Sequence, residues 1–217
     1  MPDLGFRIVG VEAAARGLTP LVNFRLEVTN LPATEEIHGI ILQAQVHIES
    51  AQRSYGDREK RQLIELFGAP DRWGQTLRTR LWTHASVTVP AFVEQTAAVL
   101  TIQCTYDLNV SATKYFYALQ QGEVPLLFLF SGTVFYAGPD GRLQVERISW
   151  DKECTYRMPI EVWQQLMEQH YPGSAWISLE RSVFDRLYAY KIGHQIPTWD
   201  ETLGRLLSAS EGKSSDR

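Results

Sequence analysis

The chain has 217 residues, of which 44 % are apolar and 11 % aromatic, and its formal net charge is −4. These values are typical of one folded domain that buries a core without a disulfide or metal staple. They argue against a basic nucleic-acid-binding surface, and no apolar run of about 18 residues predicts a membrane-spanning helix.

The first part of the chain predicts an antiparallel β-meander. Residues 21–29 alternate apolar and polar side chains, and residues 37–49 repeat the pattern over a longer stretch. Period-two alternation is typical of a strand with one face in a core. Residues 4–11, 81–89 and 97–110 predict three further strands.

Two amphipathic segments interrupt the strands. Residues 57–67 predict a helix that Asp57 caps and Gly68 ends, and residues 111–121 predict a short helix with Ser111 as its N-cap. The most apolar stretch, residues 124–136, predicts a central strand buried on both faces. A turn at Gly138-Pro-Asp-Gly141 then predicts a hairpin with a returning strand at 143–150.

The C-terminal part predicts helices. Pro159 suits the first turn of one helix, Ser178 can cap a second that stops at Gly193, and Thr198-Trp-Asp-Glu201 has the spacing of a capping box. The sequence therefore predicts an α+β fold, with an antiparallel β-sandwich or curved sheet and two to three C-terminal helices (159–207) packed on it. We expect one domain over residues 1–207 and a disordered tail over 208–217.

The cysteines and the N-terminus indicate a cytoplasmic protein. Cys104 and Cys154 form no Cys-x-x-Cys motif, which favours two reduced thiols. The first six residues have neither the basic nor the apolar region of a secretory signal. Cys104 falls on the apolar side of its predicted strand, where inert packing is expected.

No motif in the sequence predicts catalysis. It contains no glycine-rich phosphate loop and no Gly-x-Ser-x-Gly elbow, and its five histidines lack zinc-ligand spacing. His47 and His84 on outer strand faces are predicted as surface histidines, with a metal or proton-transfer role as the lesser alternative. Asp107 would act in acid–base chemistry only if the fold supplied a partner. We expect no catalytic residue, no metal and no cofactor.

Aromatic and basic residues offer candidate contacts for a protein partner. Arg80, Trp82 and His84 alternate along one predicted strand face, and Trp163 and Trp176 stand in or beside the C-terminal helices. Packing of helices on the sheet is the more ordinary role of such tryptophans. The alternative is a docking surface, because Trp, Tyr and Arg dominate interface hot spots.

Six segments together resemble an uncharacterised bacterial family that is common in actinobacteria. The resemblance spans about residues 4–207 and implies a role beside uptake nickel–iron (NiFe) hydrogenases, whose gene clusters contain the family. It implies no catalytic or binding residue. The segments are Pro20-Leu-Val-Asn-Phe-Arg-Leu-Glu-Val-Thr-Asn30, Ile37-His-Gly-Ile40, Gly122-Glu-Val-Pro-Leu-Leu-Phe-Leu-Phe-Ser-Gly-Thr-Val-Phe135, Met158-Pro-Ile-Glu-Val-Trp163, Tyr171-Pro-Gly-Ser-Ala-Trp176 and Leu187-Tyr-Ala-Tyr-Lys191.

One segment is also similar to the water-stress and late-embryogenesis β-sandwich domains. Val28-Thr-Asn-Leu-Pro32 matches their strand–Asn-Pro–strand opening, apart from the inserted Leu31. This likeness favours a sandwich.

Three functions remain open from the sequence. The first is a non-enzymatic cytoplasmic accessory protein that binds another protein, which the resemblance implies is a hydrogenase component. The second is a small-molecule binder or enzyme with a pocket between the sheet and the C-terminal helices, which could include His84 or Asp107. The third is a chaperone-like holder of apo subunits, which needs an open apolar groove.

Overall fold

A computed structural model of the protein describes residues 2–14, 17–31, 33, 35–107 and 109–214. Within these ranges the chain forms eight strands and six α-helices, which confirms the predicted α+β fold. The strands are β1 (Asp3–Ala13), β2 (Leu21–Leu31), β3 (Ile37–Ile48), β4 (Arg80–Val89), β5 (Gln95–Gln103), β6 (Glu123–Ala137), β7 (Leu143–Arg147) and β8 (Glu153–Pro159). The helices are α1 (Asp57–Phe67), α2 (Trp73–Thr76), α3 (Val110–Ala118), α4 (Ile160–His170), α5 (Arg181–Gly193) and α6 (Trp199–Ser214).

The strands pair into two antiparallel sheets. One sheet has the order β1-β2-β5, and the other has the order β4-β3-β6-β7, with β8 also paired to β6. The long strand β6 therefore pairs with β3 along one edge, and with β8 and then β7 along the other. This confirms the prediction of a central strand.

The prediction that β6 is buried on both faces is wrong. Its inner side chains Val124, Leu126, Phe128 and Phe130 are buried, whereas Ser131 on the other face is exposed. The outer aliphatic side chains of β6 are only half-buried, so a continuous apolar run does not by itself require two covered faces.

The inner faces of the two sheets contact each other through aromatic rings. Phe24 of β2 meets Phe128 of β6 with ring centroids 5.2 Å apart, and Phe6 of β1 stacks on Phe130 of β6 at 4.6 Å. Each fully buried side chain of this size contributes roughly 1.5–3 kcal/mol relative to an exposed one. The alternating residues of β2 that the sequence placed inward are all fully buried.

Helices α1, α3 and α4 close the ends of this core. Leu63 and Phe67 of α1, Tyr115 and Phe116 of α3 and Trp163 of α4 are all buried. Their rings make edge or tilted contacts, such as Phe116 to Trp163 at 5.5 Å between centroids. The predicted bounds of α1 are confirmed, but its N-cap is Gly56 and not the predicted Asp57. Gly68 follows the helix with a φ of 75°.

The predicted strand over residues 97–110 is too long. β5 ends at Gln103, and Asn109 caps α3 by accepting a hydrogen bond of 3.0 Å from the Ala112 backbone N–H. The amide of Asn109 also donates to the carbonyl of Trp82 at 2.8 Å. The cap is therefore Asn109 and not the predicted Ser111. Leu108, which belongs to this predicted strand, lies outside the described residues.

The chain divides into two compact units, Met1–Ser174 and Ala175–Arg217. The first contains all eight strands and helices α1 to α4, and the second contains α5 and α6. Helix α6 extends to Ser214, beyond the predicted start of a disordered tail at residue 208, because Ala209 and Glu211 suit a helix. Residues 215–217 of that tail lie outside the described residues.

Across the described ranges, no helix combines the length and the apolar character that a membrane crossing requires.

Gly132 allows β3 and β6 to approach closely. Its φ is 143°, and a Cβ atom at this position would collide with the carbonyl oxygen of Ile41 on β3. Only glycine adopts such a backbone without strain.

We expect Gly132→Ala to lower the free energy of unfolding by at least about 3 kcal/mol, because backbone strain and a clash between main chains add together. Chemical denaturation monitored by tryptophan fluorescence measures the change. The matched control is Gly74→Ala in α2, where no atom lies within 4 Å of the added carbon. That variant should change stability by less than about 1 kcal/mol, and equal stability of the two variants would contradict the argument.

Candidate functional site

A β-bulge in β4 separates the three residues that were predicted to share one strand face. Val46 of β3 pairs with Thr83 and His47 pairs with Leu81, so Trp82 is an extra residue on β4. Beyond the bulge the alternation of faces is reversed. Trp82 lies in the core, while His84 on the same strand is exposed. The prediction of a shared face is therefore wrong.

Arg80 of β4 contacts two residues of α1. Its Nη2 donates to the carbonyl of Leu66 at 2.9 Å, and its guanidinium lies 4.9 Å from the centre of the Phe67 ring. Both contacts are within the first unit, so the observed contacts of Arg80 are structural.

The two buried tryptophans belong to the core. Trp82 contacts Phe116 with centroids 4.9 Å apart, and Trp163 contacts the same ring at 5.5 Å. Because their side chains are almost entirely inaccessible, we correct their assignment from partner contact to packing. Trp176 is exposed in the second unit, and its role as a contact residue stays a prediction together with that of His84.

The second unit carries an apolar surface along both of its helices. Helix α5 has no buried residue, although Phe184, Tyr188 and Ile192 recur along it at four-residue spacing. Helix α6 continues the surface with the exposed Leu203 and Leu207. We call these five residues, together with Trp199, the helical stripe.

Aromatic contacts join the two halves of the helical stripe. Trp199 at the start of α6 lies 5.5 Å from Phe184 and 6.2 Å from Tyr188, between ring centroids. The ammonium of Lys191 lies 5.8 Å from the Trp199 ring centre. At the same turn Thr198 accepts a hydrogen bond of 3.2 Å from the Glu201 N–H, which is one half of the predicted capping box. The carboxylate of Glu201 pairs with Arg205.

A polar cleft of about 600 Å³ in the first unit was not predicted from the sequence. Arg53 and Glu59 form an ion pair of 2.7 Å at its wall, and their side chains are only 8 % and 7 % exposed. The guanidinium of Arg53 also donates to the carbonyls of Gln121 and Glu123 at 2.6 and 2.8 Å. The ion pair therefore joins the loop before α1 to the loop before β6.

Glu59 has a second role as the N-terminal cap of α1. Its carboxylate accepts hydrogen bonds of 3.0 Å from the backbone N–H groups of Gly56 and Gln120. In the sequence Gly56-Asp-Arg-Glu59, the glutamate follows the N-cap residue by three positions, which is the spacing of a capping box. Nothing local indicates that Arg53 pairs with this carboxylate, so the cleft could not be found from the sequence.

Two tyrosines next to this ion pair stay protonated near neutral pH. Tyr55 and Tyr115 share a hydrogen bond of 2.9 Å, and the Tyr55 hydroxyl donates to the Ser50 carbonyl at 2.7 Å. Burial raises the pKa of both phenols. Tyr55 also lines the polar cleft, so it presents a neutral hydroxyl there.

The candidate acid–base residues do not meet in a site. Burial lowers the pKa of His47, and nearby His84 lowers it further while Glu49 opposes them. Neither His84 nor Asp107 lines the polar cleft. The described part of the chain holds no group of three or more His, Cys, Asp or Glu that could bind a metal.

Comparisons with known proteins place the sequence in a family but supply no activity. A family model described as "Family of unknown function (DUF6084)" matches residues 1–215. This confirms the prediction of an uncharacterised family, and the match carries no link to hydrogenases or actinobacteria. No curated protein matches the sequence.

Two solved structures are similar to this chain, each over 73 % of its length. One is the solution structure of a protein named as a late embryogenesis abundant (LEA) protein, with 13 % identity, 72 % of that chain covered and a TM-score of 0.30. The other is the crystal structure of a protein named as ApaA from Bordetella pertussis, with 10 % identity, 95 % of that chain covered and a TM-score of 0.27. At these TM-scores neither likeness supports an argument about this chain.

The buried ion pair gives a prediction about stability. Glu59→Ala leaves the guanidinium of Arg53 buried without its carboxylate, and we expect a loss of about 3–5 kcal/mol. Urea denaturation measures it. The control is Glu27→Ala, which removes the 2.8 Å pair with the exposed Arg7 and should cost less than about 1 kcal/mol. Similar losses in the two variants would show that the Arg53–Glu59 pair has no special role.

Thiol reactivity gives a second prediction. Burial raises the pKa of Cys104 to about 12, so at about pH 8 its thiol stays protonated and reacts slowly. Mass spectrometry after iodoacetamide treatment should show Cys104 unmodified in the native protein and modified in urea. Cys154 is half-buried, and we expect it to react sooner. Rapid native modification of Cys104 would be incompatible with the core position that we assign to it.

Proposed function

The chain belongs to DUF6084, a family of unknown function. From the surfaces of the protein itself, we propose that it is a non-enzymatic cytoplasmic accessory protein. In this proposal it binds another protein through the helical stripe of its second unit. The assignment to the cytoplasm rests on the two free cysteines, since reducing compartments keep thiols unpaired.

One observation carries the proposal. None of the 13 residues of α5 is buried, yet this helix includes three aromatic rings and several aliphatic side chains. A helix of a folded protein normally hides such a face. Large exposed apolar patches in otherwise folded proteins mark sites of association.

The spacing of the stripe suggests how a partner would recognise it. Phe184, Tyr188 and Ile192 stand one helical turn apart, which is the arrangement that fits an apolar groove. Aromatic residues at the centre of an interface supply most of its binding energy. The predicted contact residue Trp176 precedes α5 in the same unit and would extend the interface.

We also propose that the first unit is a β-sandwich that serves as the rigid part of the protein. Support comes from the contacts of Phe24 with Phe128 and of Phe6 with Phe130, which join the inner faces of the two sheets. Helix α4 follows β8 directly and buries Trp163 and Leu166 in the same core.

A hydrogenase subunit or maturation factor is the partner that we propose, because of the sequence resemblance described above. A chaperone-like holder of apo subunits would use the same kind of apolar surface. The two roles differ in the client, because a holder binds unfolded chains of many sequences, whereas an accessory protein forms a stoichiometric complex with one folded partner.

The double variant Ile192→Glu with Leu207→Glu tests the stripe. These side chains are 57 % and 62 % exposed and make none of the ring contacts around Trp199. We expect the tagged wild-type protein to recover a hydrogenase component from its host in stoichiometric amount. The variant should lose at least about tenfold of that recovery, because two charges would be buried without partners.

Leu31→Glu is the control for this experiment. Leu31 lies in the first unit and is 63 % exposed, so the substitution is matched in chemistry and accessibility. It should leave recovery unchanged, and circular dichroism should show equal helix content in all variants. Equal recovery by the stripe variant and the wild type, or no enriched hydrogenase component, would contradict the proposal.

A further inference from the structure

A second cleft, of about 230 Å³, lies in the first unit between α3, α4 and the segment that follows β5. Its wall consists mainly of aromatic rings. The residues that line it are Tyr106, Phe116, Tyr117, Trp163, Gln164, Met167, Glu168, Tyr171 and Ser174. We call it the aromatic cleft.

The aromatic cleft has a fixed floor and accessible walls. Phe116 and Trp163 are buried and contact each other, so they form the rigid part. Tyr106 and Tyr171 are half-buried, with ring centroids 4.8 Å apart and planes tilted by 38°. Tyr117 is 63 % exposed and stands at the opening.

The electrostatic character of the lining favours a cation. Glu168 supplies the one carboxylate, and no Lys, Arg or His contributes to the lining. One carboxylate oxygen of Glu168 accepts a hydrogen bond of 3.3 Å from the Gly173 N–H. The other oxygen has no hydrogen-bond partner within the described ranges. The faces of aromatic rings add further negative potential.

The titration of Tyr106 agrees with this picture. Burial raises the pKa of its phenol, and Tyr171, Tyr117 and Glu168 raise it further. Burial disfavours a charge of either sign, so among these causes only the negative charge of Glu168 would also favour a positive charge on a ligand.

The lining also indicates which kind of cation fits. A metal ion needs several oxygen or nitrogen ligands, and here one carboxylate is surrounded by rings. A guanidinium or primary ammonium needs acceptors for several N–H donors, and Glu168 is the one charged acceptor in this lining. An alkylated ammonium has few donors or none, and its methyl groups pack against rings while its charge faces them.

From this geometry we propose that the aromatic cleft binds a quaternary or alkylated ammonium group. The accessible parts of Tyr106, Tyr117 and Tyr171 would contact the methyl groups above the buried Trp163–Phe116 floor, and the free oxygen of Glu168 would face the charge. The group could belong to a small molecule such as choline or to a methylated lysine side chain of a protein. The chemistry recognised is the same in both cases.

Choline and its neutral isostere 3,3-dimethylbutan-1-ol test the charge requirement. Two-dimensional ¹H–¹⁵N NMR of the full chain follows the indole N–H of Trp163 during each titration. We expect saturable shifts with choline and at least about tenfold weaker binding of the neutral compound. Equal response to both ligands would show mere apolar filling and would overturn the proposal.

Variants locate the binding site. Glu168→Gln and Tyr117→Ala alter exposed side chains, and each should weaken choline binding by about fivefold or more. The control Trp150→Ala removes an exposed aromatic ring that does not line the cleft, and it should bind choline as the wild type does. Unchanged binding in both cleft variants would place the ligand elsewhere and refute the assignment.

A peptide with one trimethylated lysine separates the two sources. Binding of the peptide at least about tenfold tighter than choline assigns the cleft to a protein side chain, and the opposite order assigns it to a small molecule. If neither ligand saturates the protein, the proposal fails. The stripe variant Ile192→Glu with Leu207→Glu should bind choline normally, so a failure here is distinct from a failure of the proposed function.

Discussion

The contact between the inner faces of the two sheets is the interaction on which the rest of the molecule depends. Phe24 lies at its centre and meets rings from β4, β6 and β8. One of those rings, Trp82, extends the core toward Phe116 and α3. Helices α3 and α4 acquire fixed positions from this chain of buried rings. The floor of the aromatic cleft, formed by Phe116 and Trp163, is therefore part of this core.

Much of the first unit could be predicted because its strands alternate strictly. The period of two placed the inward side chains of residues 22–28 in β2 and 40–48 in β3 correctly, since one covered face is enough to select it. The pattern failed where a single residue altered the alternation. At Trp82 the bulge reversed the faces of β4, and the energy that selects a bulge comes from the facing strand, which the local sequence does not contain.

The candidate sites were harder to predict because exposure is decided by distant parts of the chain. Trp163 and Trp199 both follow helical patterns, yet the first is buried against Phe116 and the second belongs to the helical stripe. Arg53 and Glu59 are held next to each other by hydrogen bonds to the backbone of Gln121 and Gln120, which are distant in sequence. The sequence shows which residues are aromatic, but the tertiary structure was needed to show which of them are buried and which are exposed.

The helical stripe has a thermodynamic consequence for the second unit. A segment of about 40 residues with two helices rarely buries enough apolar surface to be stable alone. Among the described side chains of this unit, Ile196 is the buried aliphatic one and Thr202 the buried polar one, while Phe184, Tyr188 and Ile192 of α5 are exposed. In the proposed complex, covering the stripe would therefore add to the stability of these helices as well as to the affinity of the complex.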